Sequence, residues 1–311
     1  MRRLFTVALV AAVLSAWCVG PAAAQNDLEE LLVQVGRDYA VAYSSPLIHG
    51  FGPSQNANLF HTAAIPRTGL TFGVGVKAMG THLAAEDQSF RKVRSGVDLG
   101  TYDPAYAGQN GTVVMSGPTL LGDTETDGTV VGYVNGIEVF RESTIPGLVD
   151  TRWVPMVTPE AYVGGIAGLK AIVRYMPAVG TDIGDLTYWG LGAQWNVNSV
   201  VLGLPLDVMV GYMAQKFEAG DIVEADATSL HLGVSKSLPA LTFYAGVAKE
   251  SSTMDVSYVE EGSGTDVSFS VDGRQETRVT LGATLDILMK LNVEVGHGDV
   301  TTYSAGLMFG I

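Results

Sequence analysis

A two-residue period begins at Gly69 and recurs in separate stretches to the last residue of this sequence. In residues 70–78 every second position is apolar, from Leu70 through Val74 to Ala78, and the positions between them are polar or glycine. The pattern recurs in eight further stretches: 169–175, 189–197, 206–214, 230–235, 241–247, 279–287, 291–295 and 303–311. Such alternation indicates β-strands with an apolar face toward one medium and a polar or small face toward the other.

The composition indicates which medium the apolar face meets. Mean hydropathy is +0.25 and only 16% of the residues are charged, yet no apolar run after residue 24 is long enough for a membrane helix. A closed barrel is the remaining way to span a bilayer. A soluble sandwich would also alternate, but stretches of ~9–11 residues favour a barrel, as do aromatic residues near the stretch ends, such as Tyr175, Trp189 and Tyr303. We therefore predict an all-β fold, an antiparallel transmembrane β-barrel of about 10–12 strands over residues 67–311.

The first 24 residues have the order of a secretory signal. Arg2 and Arg3 precede the apolar run 4–20, and small residues end at Ala24. This order predicts a signal peptide over residues 1–24, cleaved near Ala24, and hence an exported protein. Cys18 is the only cysteine and lies within that segment, so disulfides are not expected to stabilise the rest.

Residues 25–66 are predicted to form an N-terminal helix and a plug-like segment. Apolar side chains at helical spacing place the helix over residues 27–43, and the Gly/Pro-rich stretch 45–53 is interpreted as irregular. A plain leader helix is the alternative. Residues 91–157 alternate poorly and are predicted to include a long irregular loop, with a hairpin that turns at Asn135-Gly136.

The connections between alternating stretches differ in length. Residues 167–168, 237–240 and 288–290 are short, whereas 177–185, 218–226 and 250–273 are longer and acidic. In outer-membrane barrels short turns face the periplasm and longer loops face outward.

The inward positions carry a mixed set of charges. They either pair in a closed interior or line a path for a solute. The predicted lumen-lining residues are Lys77, Lys170, Arg174, Asp207, Gln215, His231, Arg278, Asp286 and Glu294.

Little in the sequence points to catalysis or metal binding. The five histidines are scattered without zinc spacing, and no nucleophile motif is present. We predict no metal, no cofactor and no enzyme activity, although outer-membrane hydrolases do place His and Ser on barrel walls, and His231 keeps that alternative open. The net charge of −14 argues against nucleic acid as a partner.

Several short motifs occur in an order that is typical of one protein family. They include Ser45-Pro46-Leu47-Ile48-His49-Gly50-Phe51-Gly52, Phe60-His61-Thr62, Gly117-Pro118-Thr119, Arg174-Tyr175-Met176-Pro177 and Trp189-Gly190-Leu191-Gly192. In this order they resemble a family of uncharacterised bacterial outer-membrane β-barrel proteins. The resemblance implies a barrel in the outer membrane of a Gram-negative-type bacterium, and no functional residues. More distantly, the N-terminal segment looks like that of fatty-acid-transporter-type barrels.

Two functional hypotheses remain, besides the hydrolase alternative. The first is passage of a small or hydrophobic solute; the second is a non-conducting structural or surface-interaction barrel. The expected partners are outer-membrane lipid and lipopolysaccharide. The C-terminal strand also resembles the signal read by the barrel assembly machinery, although it ends in Ile311 rather than an aromatic residue.

Overall fold

The computed structural model describes residues 25–100, 102–181, 184–201, 203–259 and 266–310. The predicted signal peptide, residues 1–24, lies outside the described residues. The chain divides into two compact units. The barrel unit comprises the described residues of 48–83, 153–255 and 271–311, and the sheet unit comprises those of 1–47, 84–152 and 256–270.

The described residues form one α-helix, fifteen strands and three short 3-10 helices. The helix is α1 (Gln25–Gln55), and the 3-10 helices are Ala85–Gln88, Pro104–Tyr106 and Val197–Ser199. The strands are β1 (Thr71–His82), β2 (Ser89–Asp98), β3 (Asn110–Pro118), β4 (Thr129–Val134), β5 (Ile137–Ser143), β6 (Trp153–Ile166), β7 (Leu169–Thr181), β8 (Gly184–Asn196), β9 (Asp207–Ala219), β10 (Val223–Ser237), β11 (Leu241–Val259), β12 (Asp266–Asp272), β13 (Thr277–Asp286), β14 (Lys290–His297) and β15 (Thr301–Gly310). Among the described residues, no helix is both long and apolar enough to cross a membrane.

Ten of these strands close into an antiparallel barrel. They pair in the order β10-β9-β8-β7-β6-β1-β15-β14-β13-β11, and an additional β10–β11 pairing closes the ring. The insertion of β2–β5 makes β1 pair with β6, and β12 extends the sheet beside β11. The prediction of an antiparallel barrel of about 10–12 strands is therefore confirmed, at ten.

The two-residue period appears directly in the burial of the strands. In β1, Phe72, Val74 and Val76 are exposed on the outer face, whereas Lys77 and Met79 are buried. The same arrangement leaves Leu281 exposed and Arg278 buried on β13. The barrel thus has its apolar side outside and its polar side inside, the reverse of a soluble protein.

The helix is longer than the sequence predicts. Residues 45–53, interpreted as irregular because of their Gly and Pro content, continue α1 to Gln55, so that interpretation is wrong. The hydroxyl groups of Ser44 and Ser45 bond back to the carbonyls of Ala40 and Val41. Within the barrel unit, a Cβ on Gly50 would lie 2.4 Å from the Val154 side chain. This close packing selects glycine and overrides its low helix propensity.

The connections predicted to be long are largely strand. β9 ends at Ala219 and β10 begins at Val223, so that only three residues turn between them. Lys216 forms ion pairs with Glu218 and Glu224 at 3.3 and 2.8 Å. These pairs stabilise the β9–β10 pairing although the segment is acidic. The three short connections are confirmed: β6–β7, β10–β11 and β13–β14 turn within two or three residues.

The sheet unit is more ordered than predicted for residues 91–157. Strands β2, β3, β4 and β5 form an antiparallel sheet in that order. The predicted hairpin is confirmed: β4 and β5 flank Asn135 (φ 51°) and Gly136 (φ 81°), the positive angles of a two-residue turn. Apolar residues of the sheet pack against two tyrosines of α1; this core contains Tyr39, Tyr43, Val97, Leu99, Val113, Met115, Val130 and Val134.

Candidate functional site

The interior of the barrel unit is occupied by residues 48–66, which we call the plug. It comprises the end of α1 and the irregular residues that follow it. Ile48, Ala57, Asn58 and Ala63 of the plug have no exposed surface. Seven of its carbonyls and two of its N–H groups bond to polar side chains of the barrel wall, because buried backbone groups need partners.

Arg174 of β7 makes more of these hydrogen bonds than any other wall residue. Its Nε donates to Glu160 Oε2 of β6 at 2.9 Å. Its Nη1 donates to the carbonyl of Gln55 at 2.9 Å and to Gln215 Oε1 at 3.3 Å. Its Nη2 donates to the carbonyls of Ala57 and Asn58 at 3.0 and 2.7 Å. All five N–H donors of a guanidinium are thereby used, and three of them hold the plug backbone.

Asn58 is the plug residue with the most wall contacts. It has a φ of 55°, a left-handed conformation that Asn adopts more readily than most residues. Its backbone N–H donates to Glu294 Oε1 at 2.9 Å and its Nδ2 to Ser304 Oγ at 3.1 Å. Its Oδ1 accepts from Lys77 Nζ at 2.7 Å and from Asn292 Nδ2 at 2.8 Å. Three strands of the wall, β1, β14 and β15, therefore bond to this one side chain and its backbone N–H.

Further contacts fix the plug toward the rim where β1 ends. Arg278 Nη2 donates to the carbonyl of Pro53 at 2.5 Å, and its Nε lies 2.8 Å from Glu250 Oε1. Ser54 Oγ donates to the carbonyl of Val154 at 2.9 Å. This end of the plug is thus bonded to a charged side chain and to a backbone carbonyl of the barrel.

A second set of contacts fixes the plug near the opposite rim, where the β6–β7, β10–β11 and β13–β14 turns lie. We call this rim the rim of short turns. Gln194 Nε2 donates to the carbonyl of Leu59 at 2.9 Å, and Asn196 Nδ2 to that of Ala63 at 2.6 Å. Thr284 Oγ1 donates to the carbonyl of His61 at 2.7 Å. From Pro53 to Ala63 the chain therefore runs the length of the lumen, with its carbonyls anchored at both ends.

His231 of β10 faces the plug. Its ring stacks on Phe60 with 5.9 Å between centroids and an interplanar angle of 2°. Its Nε2 lies 3.1 Å from Gln194 Nε2. In the part of the chain that the structure describes, no serine hydroxyl or carboxylate bonds to this ring, so the arrangement needed to activate a nucleophile is not assembled there.

The structure places the nine predicted lumen-lining residues in two groups. Seven are buried in the barrel unit: Lys77, Lys170, Arg174, Gln215, His231, Arg278 and Glu294. Asp286 is exposed and forms a 2.8 Å ion pair with Lys290 near the turn between β13 and β14. Asp207, at the first position of β9, is only partly buried.

Several wall residues of this network were not singled out by the sequence. Glu160, Gln194, Glu250 and Asn292 are buried and bonded to Arg174, the plug or Arg278. Each occupies an inward position of its strand, so that applying the two-residue period to polar residues throughout would have found them. No local pattern identifies Asn58, since its role depends on strands far along the chain.

A cavity of about 250 Å³ lies at the rim of short turns. Its lining comes from the lower end of the plug and from the ends of several strands: His61, Thr62, Ala64, Ile65, Pro66, Thr71, Tyr162, Lys170, Ser237, Thr242, Thr284, Asp286 and Lys290. Among the described residues, no group of three or more His, Cys, Asp or Glu side chains could hold a metal ion.

A closed antiparallel barrel with an apolar exterior and a polar, occupied interior has the fold of the outer-membrane β-barrels. More particularly, the chain belongs to the family of unknown function DUF6588, which it matches over residues 1–311. The predicted membership of an uncharacterised family is confirmed. No curated protein matches the chain.

Solved outer-membrane barrels align with most of the chain at low identity. The outer membrane protein OmpT of Vibrio cholerae is 11% identical, over 78% of this chain and 99% of that one, with a TM-score of 0.25. The toluene transporter TbuX of Ralstonia pickettii is 10% identical over 78% and 88%, with a TM-score of 0.27. The outer membrane protease OmpT of Escherichia coli is 10% identical over 80% and 98%, with a TM-score of 0.29. Likeness at this level does not extend to function.

Proposed function

We propose that this protein is a non-conducting barrel of the outer membrane, closed by its own plug, that anchors the sheet unit in the membrane. The membrane location is supported by the outer face of the barrel strands, where large apolar side chains such as Val74, Leu230 and Leu281 are exposed. In water this surface would aggregate, whereas in lipid it is the normal exterior of a barrel.

The observation that carries the closed state is the bonding of the plug. Arg174 donates to three plug carbonyls, and Asn58 bonds to four residues on three strands through its side chain and N–H. Moving the plug would break these hydrogen bonds together, at a net cost of about 0.5–1.5 kcal/mol for each neutral bond and about 1.5–3 kcal/mol for each bond to a charged group. Such a network favours a plug that stays in place.

The connections support one orientation of the barrel in the membrane. The chain leaves β1 at His82 and re-enters at Trp153, its register partner in β6, so that the insertion carrying β2–β5 begins and ends at one rim. The β6–β7, β10–β11 and β13–β14 turns occupy the opposite rim, and the rim without the long insertion faces the periplasm in outer-membrane barrels. The insertion then begins at the outward-facing rim, as a surface-interaction barrel requires. Under the same proposal, the protein contacts outer-membrane lipid and lipopolysaccharide, and the barrel assembly machinery recognises β15.

Single-channel recording of the refolded protein in planar bilayers tests this function. We expect no conductance steps from the full protein and persistent steps when residues 25–66 are deleted. A shorter deletion, of residues 25–47, keeps the whole plug and is the matched control, which we expect to remain closed. Steady conductance of the full protein, equal to that of the long deletion, would overturn the closed-barrel function.

Passage of a small solute is the second candidate, because the cavity at the short-turn rim gives a solute a place to enter. Passage requires that the plug move during the cycle. A disulfide between cysteines introduced at Ser54 and Thr81, whose hydroxyl oxygens are 2.9 Å apart, would lock it. Uptake of the solute by cells would then stop when the disulfide locks the plug and resume when the disulfide is reduced. That result would favour passage over the closed-barrel function.

A further inference from the structure

The charges buried in the barrel unit do not balance. Among its described residues, the buried cations are Lys77, Lys170, Arg174 and Arg278, and the buried carboxylates are Glu160, Glu250 and Glu294. Glu160 pairs with Arg174 and, at 3.8 Å, with Lys77. Glu250 pairs with Arg278, and Glu294 accepts from the N–H of Asn58. The cation in excess is Lys170.

Lys170 lies at the beginning of β7, with only 5% of its surface exposed. Within the part of the chain that the structure describes, its ammonium has no carboxylate within ion-pair distance and no hydrogen-bond partner. Its one specific contact is with the ring of Tyr162, 5.4 Å from Nζ to the centroid. A buried cation without a counter-charge is costly, unless a ligand supplies that charge.

The cavity at the short-turn rim is where such a ligand would lie, because Lys170 and Tyr162 both belong to its wall. Neutral hydroxyl groups of Thr62, Thr71, Ser237 and Thr242 line the same space, and Ile65 and Pro66 add an apolar side. The other lysine of the wall, Lys290, is already paired with Asp286 at 2.8 Å. One free positive charge, several hydroxyl groups and an apolar surface in about 250 Å³ describe a site for a small ligand.

We propose that this cavity binds a small organic carboxylate, whose anionic group pairs with Lys170 and whose apolar part lies against Ile65 and Pro66. One unpaired cation matches one negative charge, and the apolar side distinguishes an organic acid from an inorganic anion. The site faces the rim of short turns and does not require the plug to move. It therefore goes beyond the closed-barrel function and does not depend on it.

The probe is benzoate, with neutral benzamide as the isosteric control. Binding to the full protein in lipid nanodiscs is measured by saturation-transfer NMR titration. We expect native protein to bind benzoate and not benzamide. Lys170→Met keeps the apolar stem without the charge and should weaken benzoate binding at least about tenfold, the loss expected for one charge-assisted hydrogen bond.

Two variants separate a lost site from a misfolded barrel. Lys170→Arg keeps the charge and should retain benzoate binding. Lys236→Met removes a lysine that lies outside the cavity wall and donates to the carbonyl of Pro205, so that binding should not change. Each variant is first checked for heat-modifiable gel mobility, which reports a folded barrel.

Three results would overturn the proposal: unchanged benzoate affinity in the folded Lys170→Met protein, equal binding of benzamide, or no benzoate binding to native protein at about 10 mM. Binding of inorganic phosphate without benzoate would also overturn it, in favour of a simple anion site. None of these results alters the outcome of the single-channel test, so each of the two proposals can be refuted without the other.

Discussion

Arg174 and Glu160 are register partners on β7 and β6, and their side chains meet inside the barrel with 2.9 Å between Nε and Oε2. Neither side chain exposes more than 3% of its surface to solvent. The pair lies beneath the plug and joins the wall to the carbonyls of residues 55, 57 and 58. This buried ion pair therefore links two strands of the wall to the plug.

Replacing Arg174 with Met should lower the free energy of unfolding by about 3–5 kcal/mol, because it leaves the Glu160 carboxylate buried with only the more distant Lys77. Urea unfolding of the refolded protein in detergent measures the change. The double variant Arg174→Met, Glu160→Gln should recover part of the loss, since the uncompensated charge is gone. A double variant no more stable than Arg174→Met alone would contradict this account of the pair.

Replacing Asn58 with Gly should let the plug open from time to time. Glycine adopts the φ of 55° as readily as Asn, so that the backbone is unaffected, but the bonds to Lys77, Asn292 and Ser304 are lost. We expect brief conductance steps in planar bilayers. Asn135→Gly is the matched control, because Asn135 also has a positive φ (51°) but lies in the β4–β5 turn. Equal behaviour of the two variants would contradict the role given to Asn58.

The barrel could be predicted because its signal repeats along the chain. The barrel strands have an outer face with a shared preference for large apolar residues. The exposed ones of β1 (Phe72, Val74, Val76), β8 (Trp189, Leu191) and β13 (Val279, Leu281, Leu285) each fall on one side of the two-residue period. The sheet unit lacks this redundancy: β2 contains Arg91, Lys92 and Arg94 among its ten residues and exposes most of them. A sheet with a small core on one face leaves a weak two-residue period, and for this reason the sequence predicts only a long irregular loop with one hairpin there.

The site could be predicted only as a set of inward charges. The period places Lys77, Arg174 and Glu294 on the inner face, but pairing depends on the register of distant strands and on the path of the plug. Residues 45–53 show the limit most clearly. Their Pro and Gly content indicates loop by local propensity, whereas packing of Gly50 against Val154 makes the same residues helical.

Replacing Gly306 with Ala should destabilise the barrel by about 1–3 kcal/mol, as overpacking does. A Cβ at this position of β15 would lie 2.2 Å from Asn292 Oδ1 and 2.7 Å from Lys77 Cδ, both of which hold Asn58. Gly80→Ala on the neighbouring β1 is the control, since its Cβ would meet nothing nearer than 3.5 Å. The temperature at which heat-modified gel mobility appears measures both. Equal temperatures for the two variants would show that the wall accommodates the methyl group.

The sheet unit should lose stability in alkaline solution. Burial raises the pKa of Tyr39 and of Tyr43 above the ordinary value of 10.0. Folding therefore favours the neutral phenols, and their stabilising contribution is complete below pH 10 and is lost as the pH rises above it. Urea unfolding followed by near-UV circular dichroism between about pH 9 and pH 11 should show this decline. Tyr39→Phe, Tyr43→Phe protein should decline less, although it loses the bonds to Thr144 and Pro146. An equal decline in both proteins would place the alkaline effect elsewhere.

Leu281 and Val93 distinguish a lipid-facing surface from a water-facing one. Both are exposed residues of antiparallel strands, at 64% and 47%, but Leu281 lies midway along β13 in the barrel and Val93 lies on β2 in the sheet unit. Arginine midway along a lipid-facing strand costs about 2–4 kcal/mol, because the charge is held in the bilayer core. We expect Leu281→Arg to lower the free energy of unfolding in lipid vesicles by that amount, and Val93→Arg to change it by less than about 0.5 kcal/mol, as surface substitutions in water do. Leu281→Ala controls for the lost side chain and should cost less than the arginine. If arginine were equally harmless at both positions, the outer face of β13 would be meeting water, and the membrane location proposed for the barrel would be wrong.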